Sequence, residues 1–215
     1  MEVTVLNKKK LYIIGAGDFG REMESLLELV PRNQRNWEIE GYLDDNLNAL
    51  DGLSSDYKVL STIESHKFSS NDLAVLAIVD PFIKENIYNR IKGKVEFISY
   101  VYPNVLVFKY CQIGEGSIIA SNCVISNNVY IGKFVILNQG TQIGHDTSIG
   151  NFSSLMSNVD IGGHCQIGQK VFMGTGATII PKRKIDDNVK VGSGSVVIKN
   201  IKKNCSVFGN PAKLI

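Results

Sequence analysis

The sequence predicts two domains of different class, a small α/β unit around a parallel sheet over residues 1–100 and a parallel β-helix of six-residue repeats over 101–215. Three observations carry this. From Val101 to Val197 every sixth residue is aliphatic, seventeen positions without a miss. The pattern stops below residue 100, where apolar runs alternate with helical spacing instead. Between the first apolar run and the first helical pattern lies Gly15-Ala16-Gly17-Asp18-Phe19-Gly20.

A period of six fits neither a helix nor plain strand alternation, but it fits a coil of short strands separated by tight turns. Each aliphatic residue then points into one continuous core. Four places later stands a second, smaller inward residue, as at Ser117, Cys123, Thr141, Ser153, Cys165 and Ala177. Glycine often follows the aliphatic residue directly, as at Gly114, Gly132, Gly144 and Gly162, where a turn is expected to need backbone freedom. Arg183 is the one large charged residue in the small slot, so a local distortion is expected there.

In the first hundred residues, Leu11 to Ile14 reads as a strand, the glycine segment as a turn, and Met23, Leu26, Leu27 and Val30 as one face of a helix. This is a Rossmann-like opening, in which glycines let the backbone approach a phosphate and the helix start offers free N–H groups. A second strand, Ile39 to Leu43, ends in Asp44-Asp45, where acids can bond a ribose or a base edge. Leu73 to Val79 reads as a third strand, Asp80-Pro81 as a helix start with Ile83, Ile87 and Ile91 on one face, and Val95 to Tyr100 as a fourth strand. A dinucleotide fold needs two such halves, so this length suits a nucleoside diphosphate better than NAD.

Net charge is +2 with both signs spread along the chain, which argues against nucleic acid as a partner. Lys8, Lys9 and Lys10 read as a solvated flank. Three of the four cysteines, Cys111, Cys123 and Cys165, fall in the small inward slot and Cys205 lies in the tail, a pattern of free thiols in a reducing cytoplasm. Neither a signal peptide nor a membrane span is expected.

If one coil comprises three hexads, residues eighteen apart stack in neighbouring coils about 4.8 Å apart. Gly163 then lies over His145, in Gly144-His145-Asp146. A histidine beside an acid can deprotonate a nucleophile near neutral pH, and a glycine N–H can stabilise an oxyanion. A solvated turn corner is the plainer reading of His145 taken alone. His164 and His66 have no acid next to them in sequence and read as structural, and no metal site is expected.

Together Ile13-Ile14-Gly15-Ala16-Gly17 with Gly20, Tyr42-Leu43-Asp44-Asp45, Asn138 with Gly144-His145-Asp146, and Gly209-Asn210-Pro211-Ala212 make the chain resemble the bacterial left-handed β-helix acyltransferases of the PglD and NeuD type. The resemblance covers nearly the whole chain. It implies a cytoplasmic homotrimer with active sites between subunits, taking a nucleotide-linked aminosugar and acetyl-CoA. It further implies that Gly15, Gly17, Asp18 and Phe19 cradle the diphosphate and that Asp44 and Asp45 hold the nucleoside. His145 is then the general base, Asp146 its partner and Gly163 the donor to the thioester oxygen, with Asn138 touching the sugar or positioning the base. Thr175, Pro181, Ser193, Asn210 and Pro211 fall along the implied coenzyme path. Where many relatives carry a histidine nine residues after the base, this chain has Ser154, half a coil from His145 and able to meet it only across a subunit boundary; a contact with coenzyme is expected of it. Phe19 replaces a common histidine, either against the nucleotide or in the core.

The implied reaction is N-acetylation of an amino-dideoxysugar, with a 4-amino-4,6-dideoxyhexose foremost, for a surface glycan such as O-antigen. O-acetylation of a sialic-acid type sugar and a noncatalytic nucleotide-sugar-binding protein are the alternatives.

Overall fold

A computed structural model describes residues 8–215. The chain divides into two compact units, residues 1–78 with 86–98, and 79–85 with 99–215. The domain junction thus falls close to residue 100, but the segment Val79–Glu85 belongs with the second unit.

In the first unit β1 (Lys9–Ile14), α1 (Asp18–Glu28), β2 (Trp37–Leu43), β3 (Val59–Ser61), β4 (Leu73–Leu76) and β5 (Glu96–Phe97) follow in order, and α2 (Pro81–Ile91), between β4 and β5, has its residues up to Glu85 in the second unit. All the strand pairs are parallel, in the order β3-β2-β1-β4-β5. The central strand is buried from Leu11 to Ile14, as a parallel sheet covered on both faces requires. The third expected strand is shorter than its apolar run, the fourth keeps only Glu96–Phe97, and β3 has no clear sequence signature because Val59–Ser61 is partly exposed and only three residues long. The lysine run is no loose flank: Lys8 and Lys10 pair with Glu38 and Glu40 on β2, and Lys9 pairs with Glu96 on β5. On α2 the buried line is Lys84, Ile87 and Ile91, while the expected Ile83 is exposed. Asp80 caps this helix, its Oδ1 accepting from the Phe82 and Ile83 N–H groups at 2.9 Å.

The second unit is a parallel β-helix with three flat faces. The first face starts at Tyr100–Val101, the second at Leu106–Val107 and the third at Gln112–Ile113, and each next strand of a face begins 18 residues later. A ladder of N–H groups donating to carbonyls 17 residues on binds the coils, as from Gln142 to Val159 at 2.9 Å. From Ile119 to Val197 every hexad aliphatic is buried, and so are the small partners Ser117, Thr141, Thr147, Ser153 and Ser195. Each such aliphatic side chain contributes roughly 1.5–3 kcal/mol relative to exposure. The first coil is the exception: Val101 and Val107 are 40% and 42% exposed because no coil lies beneath them.

Two expectations about the turns change. The glycines after the aliphatic residue need no left-handed backbone; they are there because the next coil is too close for a Cβ. At Gly144 that atom would stand 2.4 Å from the Gly163 nitrogen. The left-handed conformation falls two residues later, at hexad position Asn122, Asn128, Phe134, Asp146, Phe152, Asn158 and His164, with φ between 54° and 61°. Arg183 also causes no distortion. Its backbone keeps register, accepting from the Gln166 N–H at 2.9 Å, and its guanidinium turns outward to the Pro181 carbonyl. The real irregularity comes after Val197, where Lys203 ends the hexad and the stacking offset falls from 18 to 16, as in Val191 with Val207. The tail closes the solenoid with Lys213–Leu214 antiparallel to Ser206–Phe208.

Gly150→Ala puts a Cβ about 2.5 Å from the backbone of Gly168 and Gln169, so it is expected to destabilise by about 1–3 kcal/mol. Gly194 has φ +66° and open space around its Cα, so Gly194→Asn, the residue most used at this turn position, should leave thermal stability unchanged or higher. Thermal unfolding of the two variants checks both.

Candidate active site

At the corner between the second and third faces, two columns of side chains climb the solenoid in steps of 18. One holds Asn127, His145, Gly163 and Pro181; the next holds Asn128, Asp146, His164 and Lys182. The second column is the left-handed turn position, where short polar side chains that bond locally are tolerated. Stacking, rather than chain proximity, therefore builds the site.

His145 and Asp146 are both partly exposed, and His145 Nδ1 lies 2.7 Å from Asp146 Oδ2. With the carboxylate on Nδ1, the histidine presents Nε2 as its free ring nitrogen. Gly163 lies against that nitrogen, so closely that a Cβ on it would be 2.7 Å away. Among the described residues no hydrogen bond uses the Gly163 N–H. Equivalent N–H groups at Lys109, Lys133 and Gln169 are capped by the side chains of Asn127, Asn151 and Asp187 one coil later. At Gly163 the residue one coil later is Pro181, which has no side-chain acceptor, and the amide stays open.

Asp146 is held from three sides. Asn128 Nδ2, one coil below, donates to its Oδ1 at 2.7 Å, and His164 Nε2, one coil above, stands 3.8 Å from Oδ2. The Asn128 bond, then His145, hold the Asp146 carboxyl below its ordinary range. The rings of His145 and His164 meet edge to face at 4.9 Å. His164 does have an acid beside it, contrary to its sequence reading; the signal was the offset of 18 from Asp146, visible only once the coil is used as a ruler. The donor atoms of His145, Asp146 and His164 lie within 4.8 Å of one another. The 2.7 Å contact joins His145 to Asp146 as a hydrogen bond, and the His164 ring packs beside the pair without one.

Other expected residues lie elsewhere. Asn138, Thr175 and Ser193 are on the corner between the first and second faces, with Thr175 and Ser193 exposed and one coil apart. Pro181 is exposed in the His145 column. Asn210 and Pro211 are exposed in the tail, which the Gly209 N–H and Ala212 N–H fasten to Ser195 and Val196. One chain does not bring these residues to His145.

Ser154 departs most from expectation. It is fully buried on the first face, its hydroxyl accepting from Lys84 Nζ at 2.8 Å, and no surface of it is left for a coenzyme. Lys84 is 1% exposed, with the Ser153 carbonyl at 3.4 Å as its other partner, and burial holds its ammonium well below the ordinary lysine range. Asp80 opposes that shift.

In the first unit Gly17 caps α1 without a side-chain bond, leaving the first amides of the helix to a ligand. Gly15 adopts φ +100° and has no room for a Cβ against Ile78. Gly20 has none against the Gly15 carbonyl. Phe19 is buried in the core, which decides between its two readings, and Asp18 is exposed and paired with Arg21 at 2.7 Å. The two acids after β2 are already engaged. Asp44 Oδ2 accepts from the Ala16 N–H at 2.8 Å and braces the glycine turn. Asp45 pairs with Arg90 at 2.7 Å and accepts from the Ile63 N–H, and the Arg90 bond lowers its pKa. His66 packs between Tyr12 and Phe68 and is structural.

Residues 10–91 match the PglD N-terminal domain, and residues 122–156 match the bacterial transferase hexapeptide of six repeats. The chain joins a PglD-type N-terminal domain to hexapeptide repeats. Among solved structures it is similar to the acetyltransferase domain of PglB from Neisseria gonorrhoeae FA1090, at 24% identity and TM-score 0.87 over 97% of this chain and 100% of that one. The same domain in complex with acetyl coenzyme A matches at 25% identity and TM-score 0.84, with the same coverage. A variant of perosamine N-acetyltransferase from Caulobacter crescentus, in complex with CoA and GDP-perosamine, matches at 20% identity and TM-score 0.85 over 96% of each chain. No curated protein matches the sequence. Among the described residues no helix is long and apolar enough to cross a membrane.

Because the folded chain holds Lys84 below its unfolded pKa, unfolding takes up a proton from the folded value up to about pH 10.4, and the stability contributed at this site rises with pH across that window. Lys84→Met is expected to flatten that rise, by up to about 1.4 kcal/mol per pH unit. Urea unfolding of both proteins at pH 7 and pH 9 measures it.

Proposed function

We propose that the protein is an acetyl-CoA-dependent N-acetyltransferase acting on a nucleotide-linked amino-dideoxysugar, with a 4-amino-4,6-dideoxyhexose the leading candidate, in the cytoplasmic synthesis of a surface glycan such as O-antigen. The observation that carries the reading is the His145 ring, bonded through Nδ1 to Asp146 with Nε2 beside the open Gly163 amide. The neutral sugar amine attacks the thioester carbonyl, forming the C–N bond. His145 Nε2 takes the amine proton, and the Gly163 N–H steadies the oxyanion. The C–S bond then breaks, and CoA leaves as the thiol after taking up a proton. An amine is nucleophilic enough that no covalent enzyme intermediate is required.

The open amides at the start of α1, on the glycine turn braced by Asp44, suit the diphosphate of the sugar nucleotide. Asn138, Thr175 and Ser193 lie on a different corner of the solenoid from His145. That separation supports a homotrimer, in which the coenzyme lies between the corner of one subunit and the opposing edge of its neighbour, with Pro181, Asn210 and Pro211 along its path.

The purified protein is expected to release thiol from acetyl-CoA with one of a panel of UDP-, dTDP- and GDP-linked aminosugars, and not with the corresponding hydroxyl sugars. Within that assay His145→Ala should lower turnover at least about 10²-fold; an unchanged rate removes the base from the mechanism. Pro181→Asn is expected to cap the Gly163 amide as Asn127 caps Lys109, lowering kcat by roughly 10–10²-fold. Steady-state kinetics of this variant check the oxyanion role, which fails if kcat stays at the level of the unaltered protein.

A further inference from the structure

We propose that Asn128 and His164 are positioning residues that clamp Asp146 and the His145 ring from the coils below and above, and so fix the tautomer and orientation of His145. The proposal deepens the reading of His145 as the base and rests on it for its catalytic consequence. Its structural content stands apart from that reading.

The clamp follows from the ladder. Residues 128, 146 and 164 occupy the same left-handed turn position in three successive coils, so their side chains leave the corner in the same direction. A carboxylate there has four lone-pair sites, and its rotation decides which oxygen meets the imidazole. Asn128 Nδ2 takes Oδ1 at 2.7 Å, which turns Oδ2 toward His145 Nδ1, also at 2.7 Å. A hydrogen-bonded carboxylate on Nδ1 selects the tautomer with its proton there, leaving Nε2 able to accept. Without the amide below, Asp146 is free to rotate about its own side chain, and the exposed histidine loses its orientation.

His164 acts from the other side and differently. At 3.8 Å from Oδ2 it makes no hydrogen bond, but its ring meets the His145 ring edge to face at 4.9 Å and limits how far that ring can turn. The groups facing His164 are Asp146, His145 and, next in the column, Lys182.

The chain has three histidines, so ring resonances can be assigned by substitution. The test is nitrogen-15 imidazole spectroscopy of the full-length protein, without substrates, across pH 5 to 9. In the unaltered protein His145 is expected as the tautomer protonated at Nδ1. Asn128→Ala should shift it toward the Nε2-protonated form. His164→Asn should keep the tautomer but move the His145 ring resonances, through loss of the edge-to-face ring contact. Kinetics of the same proteins should show Asn128→Ala lowering kcat about tenfold with KM unchanged, and His164→Asn lowering kcat less, also with KM unchanged. A purely structural role would lower the unfolding temperature and leave the His145 spectrum as it was. If the His145 tautomer is unchanged in Asn128→Ala, the clamp is wrong. If the spectra change as expected while no aminosugar is acetylated, the clamp stands and the proposed reaction fails.

Discussion

The 18-residue register of the backbone ladder is the constraint on which the second unit depends. Each coil is tied to the next by N–H groups donating to carbonyls 17 residues later, at 2.7–3.2 Å along the solenoid. That ladder holds each aliphatic residue of the hexad over the one before it and closes the core without gaps. It also forbids a Cβ where the coils come closest, which is why glycine follows the aliphatic residue so often. Nothing in this scheme concerns chemistry. The site arises because the same register stacks corner side chains as strictly as core ones.

At most corners the stacking is spent on the solenoid itself. Asn104 with Asn122, and Asn188 with Asn204, bond in pairs, and side chains of Asn127, Asn151 and Asp187 cap backbone amides of the preceding coil. The corner at His145 keeps the geometry and changes the occupants. A histidine replaces the capping side chain, an acid replaces an asparagine in the left-handed slot, and glycine followed one coil later by proline leaves an amide open. A site of this kind needs few residues because strand pairing has already fixed their positions, so little conformational entropy is left to lose on forming it.

Much of this was legible in the sequence. The hexad specified the coil, and the coil correctly placed Gly163 on His145, because a strict period transmits position over long distances. What the period does not transmit is which backbone torsion each slot has. The left-handed slot lies three residues after the aliphatic position, and its occupants range from Asn and Asp to Phe and Lys, too varied to announce it. His164 was passed over for that reason: its acid is eighteen residues away, not one. In the first unit the glycine turn and helix were evident, whereas the engagement of Asp44 and Asp45 was not. Sequence shows that an acid follows a strand, but not whether a backbone amide or an arginine from elsewhere in the fold has reached it first, as the Ala16 N–H and Arg90 have done.

The same distinction explains position 154. By period it belongs to the outward side of a two-residue strand, open to any polar side chain. The segment Val79–Glu85 covers that strand, and Lys84 carries an amine to a place where water does not reach. A buried amine needs acceptors, and among the described residues the Ser154 hydroxyl at 2.8 Å and the Ser153 carbonyl at 3.4 Å supply them. A histidine here would bring an imidazole into the space the amine fills, with no more than one acceptor nitrogen to offer. Serine at 154 and lysine at 84 are therefore one choice rather than two: the short hydroxyl leaves room for the long amine, and the amine takes the hydroxyl out of reach of any ligand.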